Sequence, residues 1–142
     1  MLNEQDGSRQ SSLALNIARD PSSAPPGDAR RTMWLWTMDV WVSRAGILTD
    51  CDRLRTILSS AARLGGVKVL GEEFCVFDNA AVTGVLVLAQ SHLSIHTWPE
   101  YALANVDLLT YGSVHGGAVM NSIARDLGAE RVNTTCIPRA RG

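Results

Sequence analysis

The stretch Gln90-Ser91-His92-Leu93-Ser94-Ile95-His96-Thr97-Trp98-Pro99-Glu100 is the most informative part of the chain. Apolar and polar side chains alternate along it, which is typical of a β-strand with one buried face. An extended backbone puts Leu93, Ile95 and Thr97 on one face, and His92, Ser94, His96 and Trp98 on the other. The stretch therefore predicts a strand whose apolar face joins a core and whose polar, aromatic face forms the floor of a site.

Length and composition limit the classes of function. The chain has 142 residues, 13 basic and 14 acidic side chains, and a formal net charge of -1. This length indicates one domain, and the absence of a basic stripe argues against a nucleic-acid partner. The sequence has neither an apolar run that could span a membrane nor the apolar segment of a secretory signal. Cys51, Cys75 and Cys136 form no CxxC pair, so we expect a reduced, cytoplasmic protein with no metal site.

The remaining chain divides into a tail and one α+β domain. Residues 1–31 are rich in Ser, Asp, Arg, Gly and Pro, and they predict a disordered tail before a domain over residues 32–142. Besides the opening stretch, strands are predicted over 33–42, 67–77, 82–89, 105–111 and 131–137. Helices are predicted from Thr49 to Gly65 and over about 118–127. The order β-α-β-β-β-β-α-β predicts a two-layer sandwich, an antiparallel sheet with two helices on one face.

The side chains of the opening stretch allow several kinds of chemistry. A single strand histidine such as His96 is more often a hydrogen-bonded structural residue than a catalytic one. A serine hydrolase is one interpretation, but no GxSxG turn surrounds Ser91 and no acidic partner is evident. A metal site is another, but His92 and His96 would lie about 13 Å apart along a strand, too far to bind one ion.

The stretch from Ser91 to Tyr101 closely resembles the self-processing motif of the prokaryotic S-adenosylmethionine decarboxylases. Phe77 and the segment 83–89 resemble the strand that leads into this motif, and Ala104-Asn105-Val106-Asp107 with Thr110 and Gly112 resembles the strand that follows. The helix after Thr49 and the segment 69–71 also match, so the resemblance covers roughly residues 33–130.

The resemblance implies a proenzyme that cuts itself between Gln90 and Ser91. The hydroxyl of Ser91 would attack the preceding carbonyl, with His96 as the processing base and Thr83 assisting. Loss of the upstream chain would leave a pyruvoyl group at position 91, a cofactor that the chain makes from its own serine. Residues 1–90 and 91–142 would then remain as two subunits.

The resemblance also implies a small-molecule substrate with a primary amine. The amine would form a Schiff base with the pyruvoyl ketone, which accepts the electrons left when CO2 departs. Phe77 and Trp98 would line the pocket, and Glu100 would accept hydrogen bonds from substrate. The family builds its active sites at a dimer interface, so a homodimer or larger assembly is expected.

Two positions depart from the family. Gln90 replaces a usual glutamate, and processing should survive because it uses only the backbone carbonyl of this residue. Tyr111 stands where the family has a cysteine that returns a proton to the substrate. A phenol is ordinarily a weaker acid than a thiol.

Three interpretations follow from the tyrosine. In the first, Tyr111 or another group such as Cys75 donates the proton and the substrate is S-adenosylmethionine. In the second, the pocket serves L-ornithine or L-arginine, as in some similar proteins. In the third, the chain is a non-catalytic homologue. Retention of Ser91, Thr83 and His96 argues against the third, and the first keeps more of the matched positions.

Overall fold

The computed structural model describes residues 33–112 and 114–139. The tail expected over residues 1–31 lies outside this part of the chain. The described residues form six strands and two α-helices in the expected order. The strands are β1 (Met33–Val42), β2 (Val69–Val76), β3 (Val82–Leu88), β4 (Ser91–Trp98), β5 (Leu103–Tyr111) and β6 (Ala129–Arg139), and the helices are α1 (Cys51–Leu64) and α2 (Gly116–Leu127).

The strands form one antiparallel sheet in the order β2-β3-β4-β5-β1-β6. Strands β2 to β5 follow one another through short connections, so they pair as successive hairpins. Strand β1 lies between β5 and the edge strand β6, so its three tryptophans are one strand in from this edge of the sheet. The α+β two-layer fold class predicted from the sequence is confirmed.

Helix α1 has a capping side chain at its start, and helix α2 has a glycine after its last residue. The carboxylate of Asp50 accepts a hydrogen bond from the backbone N–H of Arg53 and so caps α1. The apolar stripe of α1, with Leu54, Ile57 and Leu58, is buried. Helix α2 ends at Gly128, whose φ of 72° is a left-handed conformation that glycine adopts at little cost. Neither helix in the described ranges is long and apolar enough to cross a membrane.

The two helices pack together over the same side of the sheet, which we call the helix-covered face. Alternate strand residues point into this layer and are fully buried, among them Trp36, Leu86, Leu93, Ile95 and Leu108. The buried hydroxyl of Thr97 accepts from the Val82 N–H at 2.8 Å and donates to the Leu48 carbonyl at 2.9 Å. Thr97 therefore joins β4 to β3 and to the short 3-10 turn Ala45–Thr49.

The other side of the sheet is covered by no helix or strand of the described chain, and we call it the open face. Its residues alternate with the buried ones, so the pattern on β4 is the one that the sequence predicts. Leu93, Ile95 and Thr97 are buried, whereas His92, His96 and Trp98 are partly or largely exposed. Ser94 is the exception because it is buried on the open face, between Val85 and Asp107 of the neighbouring strands.

Candidate active site

Thr83 and His96 form a pair on the open face. They are direct cross-strand partners on β3 and β4, and such partners have Cα atoms about 4.5–5.5 Å apart. The Oγ1 atom of Thr83 lies 3.0 Å from Nδ1 of His96, within hydrogen-bond distance. Both side chains are partly exposed. The threonine thus fixes one ring nitrogen of the histidine and leaves Nε2 for other partners.

The pair belongs to a row that crosses the whole open face. Successive members are cross-strand partners, one from each strand in spatial order: Cys75, Thr83, His96, Asn105, Asp39 and Asn133. Nδ2 of Asn105 donates to Oδ1 of Asp39 at 2.8 Å, and Oδ1 of Asn105 accepts from the Trp98 indole at 2.7 Å. The row therefore also holds the ring of Trp98.

The predicted substrate-binding residues lie near the same end of the hairpin. Trp98 ends β4 and is 44% exposed, and Phe77 directly follows β2 and is 54% exposed. The Phe77 N–H donates to the Ala81 carbonyl at 2.9 Å and the Ala80 N–H donates to the Phe77 carbonyl at 2.8 Å, which closes the turn that brings β2 back into β3. Glu100 is exposed in the short 3-10 turn Pro99–Tyr101. Two aromatic rings and a carboxylate thus border the end of the sheet that carries Thr83 and His96.

The predicted cleavage site lies at the opposite end of this hairpin. Ser91 begins β4 and pairs with Leu88, so only Ala89 and Gln90 form the turn. Both turn residues are exposed, and Gln90 has a φ of 63°, in the left-handed region that side chains other than glycine rarely adopt. Such a residue stores about 1–3 kcal/mol of backbone strain.

Tyr111 lies at the Ser91 end of the sheet. It is the last residue of β5, pairs with Met33 and is 42% exposed. Because β4 and β5 are antiparallel, the end of β5 lies beside the start of β4. Tyr111 is thus a neighbour of the cleavage site and is remote from the Thr83–His96 pair.

One chain does not bring Ser91 and His96 together. They are five residues apart on one strand, a distance of roughly 16 Å at about 3.3 Å per residue. Ser91 also shares its face with its partner Leu88, which is buried under the helices, whereas His96 is on the open face. An imidazole cannot span this distance, so these two residues cannot react within a single copy in this conformation.

The other two kinds of chemistry gain no support. The described residues contain no group of three or more His, Cys, Asp and Glu side chains that could hold a metal ion. A serine hydrolase needs a base in contact with Ser91, and His96 of the same chain is too distant.

The matched motif includes Asn105 without a role, and it does not include Asp39. Each alternates with buried neighbours on its strand, which marks an open-face position, but their contact depends on β1 lying beside β5.

Most of the domain is similar to known proteins. A sequence model of the family described as S-adenosylmethionine decarboxylase matches residues 34–140. The S-adenosylmethionine decarboxylase proenzyme of Caldanaerobacter subterraneus subsp. tengcongensis is 38% identical over 102 residues, which are 71% of this chain and 82% of that protein. The proenzyme of Symbiobacterium thermophilum is 37% identical over 107 residues, which are 75% and 81% of the two chains. A shorter match, 42% identical over 67 residues, covers 47% of this chain and 47% of the proenzyme of Thermococcus gammatolerans.

A solved structure extends the similarity to the fold. The adenosylmethionine decarboxylase from Aquifex aeolicus superposes with a TM-score of 0.71 at 28% sequence identity, over 78% of this chain and 92% of that one. The resemblance carried by the Ser91–Tyr101 motif is thereby confirmed: the chain belongs to the S-adenosylmethionine decarboxylase family.

Proposed function

We propose that this protein is a self-processing, pyruvoyl-dependent decarboxylase of polyamine biosynthesis that acts on S-adenosylmethionine. The observation that carries the proposal is the arrangement of side chains on the β3–β4 hairpin of this chain, a member of the family. The hairpin has an exposed turn in which Gln90, with a left-handed φ, precedes Ser91, and it has a hydrogen-bonded Thr83–His96 pair at its other end. A serine after an exposed turn residue and a histidine with a free ring nitrogen are groups that self-cleavage can use.

Processing would begin when the Ser91 hydroxyl attacks the carbonyl carbon of Gln90. The C–N bond breaks as a C–O bond forms, which turns the amide into an ester. A base then removes the α-proton of Ser91, and the Gln90 carboxylate leaves with the electron pair of the C–O bond. Addition of water and loss of ammonia convert the remaining dehydroalanine into the pyruvoyl group. Release of the strain at Gln90, about 1–3 kcal/mol, would favour the first step.

The base would come from a second copy of the chain. His96 and Ser91 of one copy lie roughly 16 Å apart, but two open faces that meet antiparallel bring the His96 end of one sheet over the turn at the Ser91 end of the other. Ser91 lies on the same side of β4 as Leu88, so its hydroxyl would have to turn towards the open face at this exposed turn. With the proton on Nδ1, His96 would donate a hydrogen bond to Thr83. The lone pair on Nε2 would then be free to accept the α-proton of Ser91. Each dimer would then hold two sites, each built from both copies.

The surface of the open face supports such a dimer. Three of the large apolar residues exposed on the chain, Val87, Tyr111 and Ile137, lie on it at 41–52% exposure. Leu35 and Leu109 extend this apolar region across β1 and β5 as cross-strand partners. A second copy would bury these side chains and enclose the polar row between two sheets, where water is excluded.

The residues around position 91 fit a pyruvoyl group formed in place. Cleavage after Gln90 cuts an exposed turn and leaves β4 paired to β3 and β5, so fragments 1–90 and 91–142 stay in one sheet. A pyruvoyl group there would supply a ketone that binds the substrate amine and withdraws the electrons left when CO2 departs.

The aromatic and acidic side chains near His96 would bind the substrate. A sulfonium between the rings of Phe77 and Trp98 would gain roughly 1–2 kcal/mol of cation–π attraction once water is excluded. Glu100 would accept hydrogen bonds from hydroxyl or amino groups. Reduced thiols at Cys51 and Cys75 suit a cytoplasmic location, which stays a prediction.

A second candidate function is decarboxylation of L-ornithine or L-arginine. Tyr111 ends β5 near the start of β4, and a phenol ring there would leave less space than a cysteine, so a smaller pocket would suit a smaller amino acid. A non-catalytic role is the third and least supported possibility, because Ser91, Thr83 and His96 are all retained.

Release of labelled CO2 separates these functions. Purified protein is offered S-adenosylmethionine, L-ornithine and L-arginine in separate reactions, with the Ser91→Ala variant as the control for each. We expect CO2 from S-adenosylmethionine alone and none from the variant. Turnover of only the basic amino acids would replace the first candidate by the second, and a cleaved protein that decarboxylates none of them would support the third.

A further inference from the structure

By the resemblance, Tyr111 stands where the family has a proton-donating cysteine, yet the chain has a thiol beside its Thr83–His96 pair. Cys75 is the direct cross-strand partner of Thr83, which in turn pairs with His96. Cross-strand partners project to the same face of a sheet, so Cys75 shares the open face with both. It is exposed, and it lies about 10 Å from His96 between Cα atoms, two strand spacings away.

The other two cysteines face elsewhere. Cys51 is the first residue of α1 and packs against the core on the helix-covered side. Cys136 is buried in the core on β6. All three cysteines of the sequence lie in the described residues, so Cys75 is the one thiol that the chain presents on the open face.

The location of Cys75 matters if the active site is built from two copies of the chain, as proposed above. If His96 and Thr83 of one copy reach Ser91 of the other, Cys75 moves with them, because β2, β3 and β4 are paired along their lengths. The thiol would then face the composite site from the β2 side of its own sheet, whereas Tyr111 of the copy that contributes Ser91 would face it from the β5 side of the other sheet.

We propose that Cys75 of one copy donates the proton that the substrate's α-carbon takes up in the site built around position 91 of the other copy. The proposal rests on the function proposed above. As CO2 departs, the electron pair of the broken C–C bond takes the proton of the S–H group, and the thiolate regains a proton from water. A thiol is ordinarily a stronger acid than a phenol, so Cys75 is better suited to this step than Tyr111. Tyr111 then forms a wall of the pocket.

Substitution of Cys75 by serine tests the proposal through two readouts. Cleavage between Gln90 and Ser91 should be as complete as in wild type, since the thiol has no part in it. With S-adenosylmethionine, kcat should fall by about 100-fold, the typical loss for a missing general acid. A proton that instead reaches the pyruvoyl carbon leaves an amine there. Fragment 91–142 of the variant should therefore lose its reaction with an aminooxy reagent during turnover, as measured by mass spectrometry.

Two further variants complete the comparison. Cys51→Ser, a thiol remote from the open face, should retain wild-type kcat and wild-type aminooxy labelling. The proposal is overturned if Cys75→Ser matches wild type in both readouts, or if Tyr111→Phe causes both losses while Cys75→Ser causes neither. A wild-type chain that is never cut overturns the proposed function together with this proposal, whereas failure of Cys75→Ser alone leaves the proposed function standing.

Discussion

Two inactive variants should restore cleavage when they share a dimer. Ser91→Ala removes the attacking hydroxyl, and His96→Ala removes the processing base, so neither chain should be cut when expressed alone. The two residues are roughly 16 Å apart in one chain and lie towards different faces of β4. If the base acts on the partner's serine, a mixed dimer has one site with both groups and one site with neither.

The extent of cleavage follows from this arrangement. Equal amounts of the two variants that pair at random place about half of each variant's chains in mixed dimers. About half of the His96→Ala chains should therefore be cut, and none of the Ser91→Ala chains. Isolation of mixed dimers through two different affinity tags should raise the cut fraction of His96→Ala chains to nearly all of them.

The assay is co-expression followed by mass spectrometry of the denatured chains. His92→Ala provides a matched control, because His92 is also a histidine on β4 and is nearer to Ser91 in the sequence. His92→Ala alone should be cut. Absence of any cut His96→Ala chain in isolated mixed dimers would refute action between copies. If His96→Ala expressed alone were cut and His92→Ala expressed alone were not, the base would be His92 and not His96.

Three other predictions concern the scaffold and the pocket, with unfolding measured by urea on the uncut Ser91→Ala background. Thr97→Val leaves the buried Val82 N–H and the Leu48 carbonyl without a side-chain partner, so it should cost about 2–4 kcal/mol of unfolding free energy. Thr97→Ser keeps the hydroxyl and should lose much less. Equal losses in the two variants would contradict the role of the hydroxyl. Gly84→Ala puts a Cβ into the ring of Phe74 and should cost about 1–3 kcal/mol of unfolding free energy, whereas Gly71→Ala, with nothing within 4 Å, should cost less. The reverse order would contradict the packing. Asn105→Ala removes the hydrogen bond to the Trp98 indole. It should raise KM roughly fivefold, the equivalent of one hydrogen bond, with little change in kcat. An unchanged KM would show that substrate binding does not depend on this hydrogen bond.

Local patterns in the sequence predict the helices and strands well, but they do not predict which strands pair with each other. The alternation on β4 reports which residues face the core because a strand has a period of two. The separation of Ser91 from His96 also follows once both are assigned to one strand. The strand order does not, because the pairing of β1 with β5 and β6 joins residues far apart in the sequence.

The residues that depend on this pairing were the ones that local patterns could not identify. Asp39 and Asn105 are 66 positions apart, and their hydrogen bond exists because β1 lies next to β5. The sequence offers Cys75 as a substitute acid, but its place beside Thr83 depends on the register of β2 against β3. The motif identifies the family, and the register shows which of its residues one copy cannot bring together.

The mass of the purified protein tests the central claim, self-cleavage between Gln90 and Ser91, most directly. Under denaturing conditions the wild-type chain should give two species, with the masses of residues 1–90 and of residues 91–142 with a pyruvoyl group in place of Ser91. The Ser91→Ala chain should give one species, the intact 142 residues. A wild-type protein that remains a single intact chain, or a Ser91→Ala protein cut at the same bond, would contradict the account.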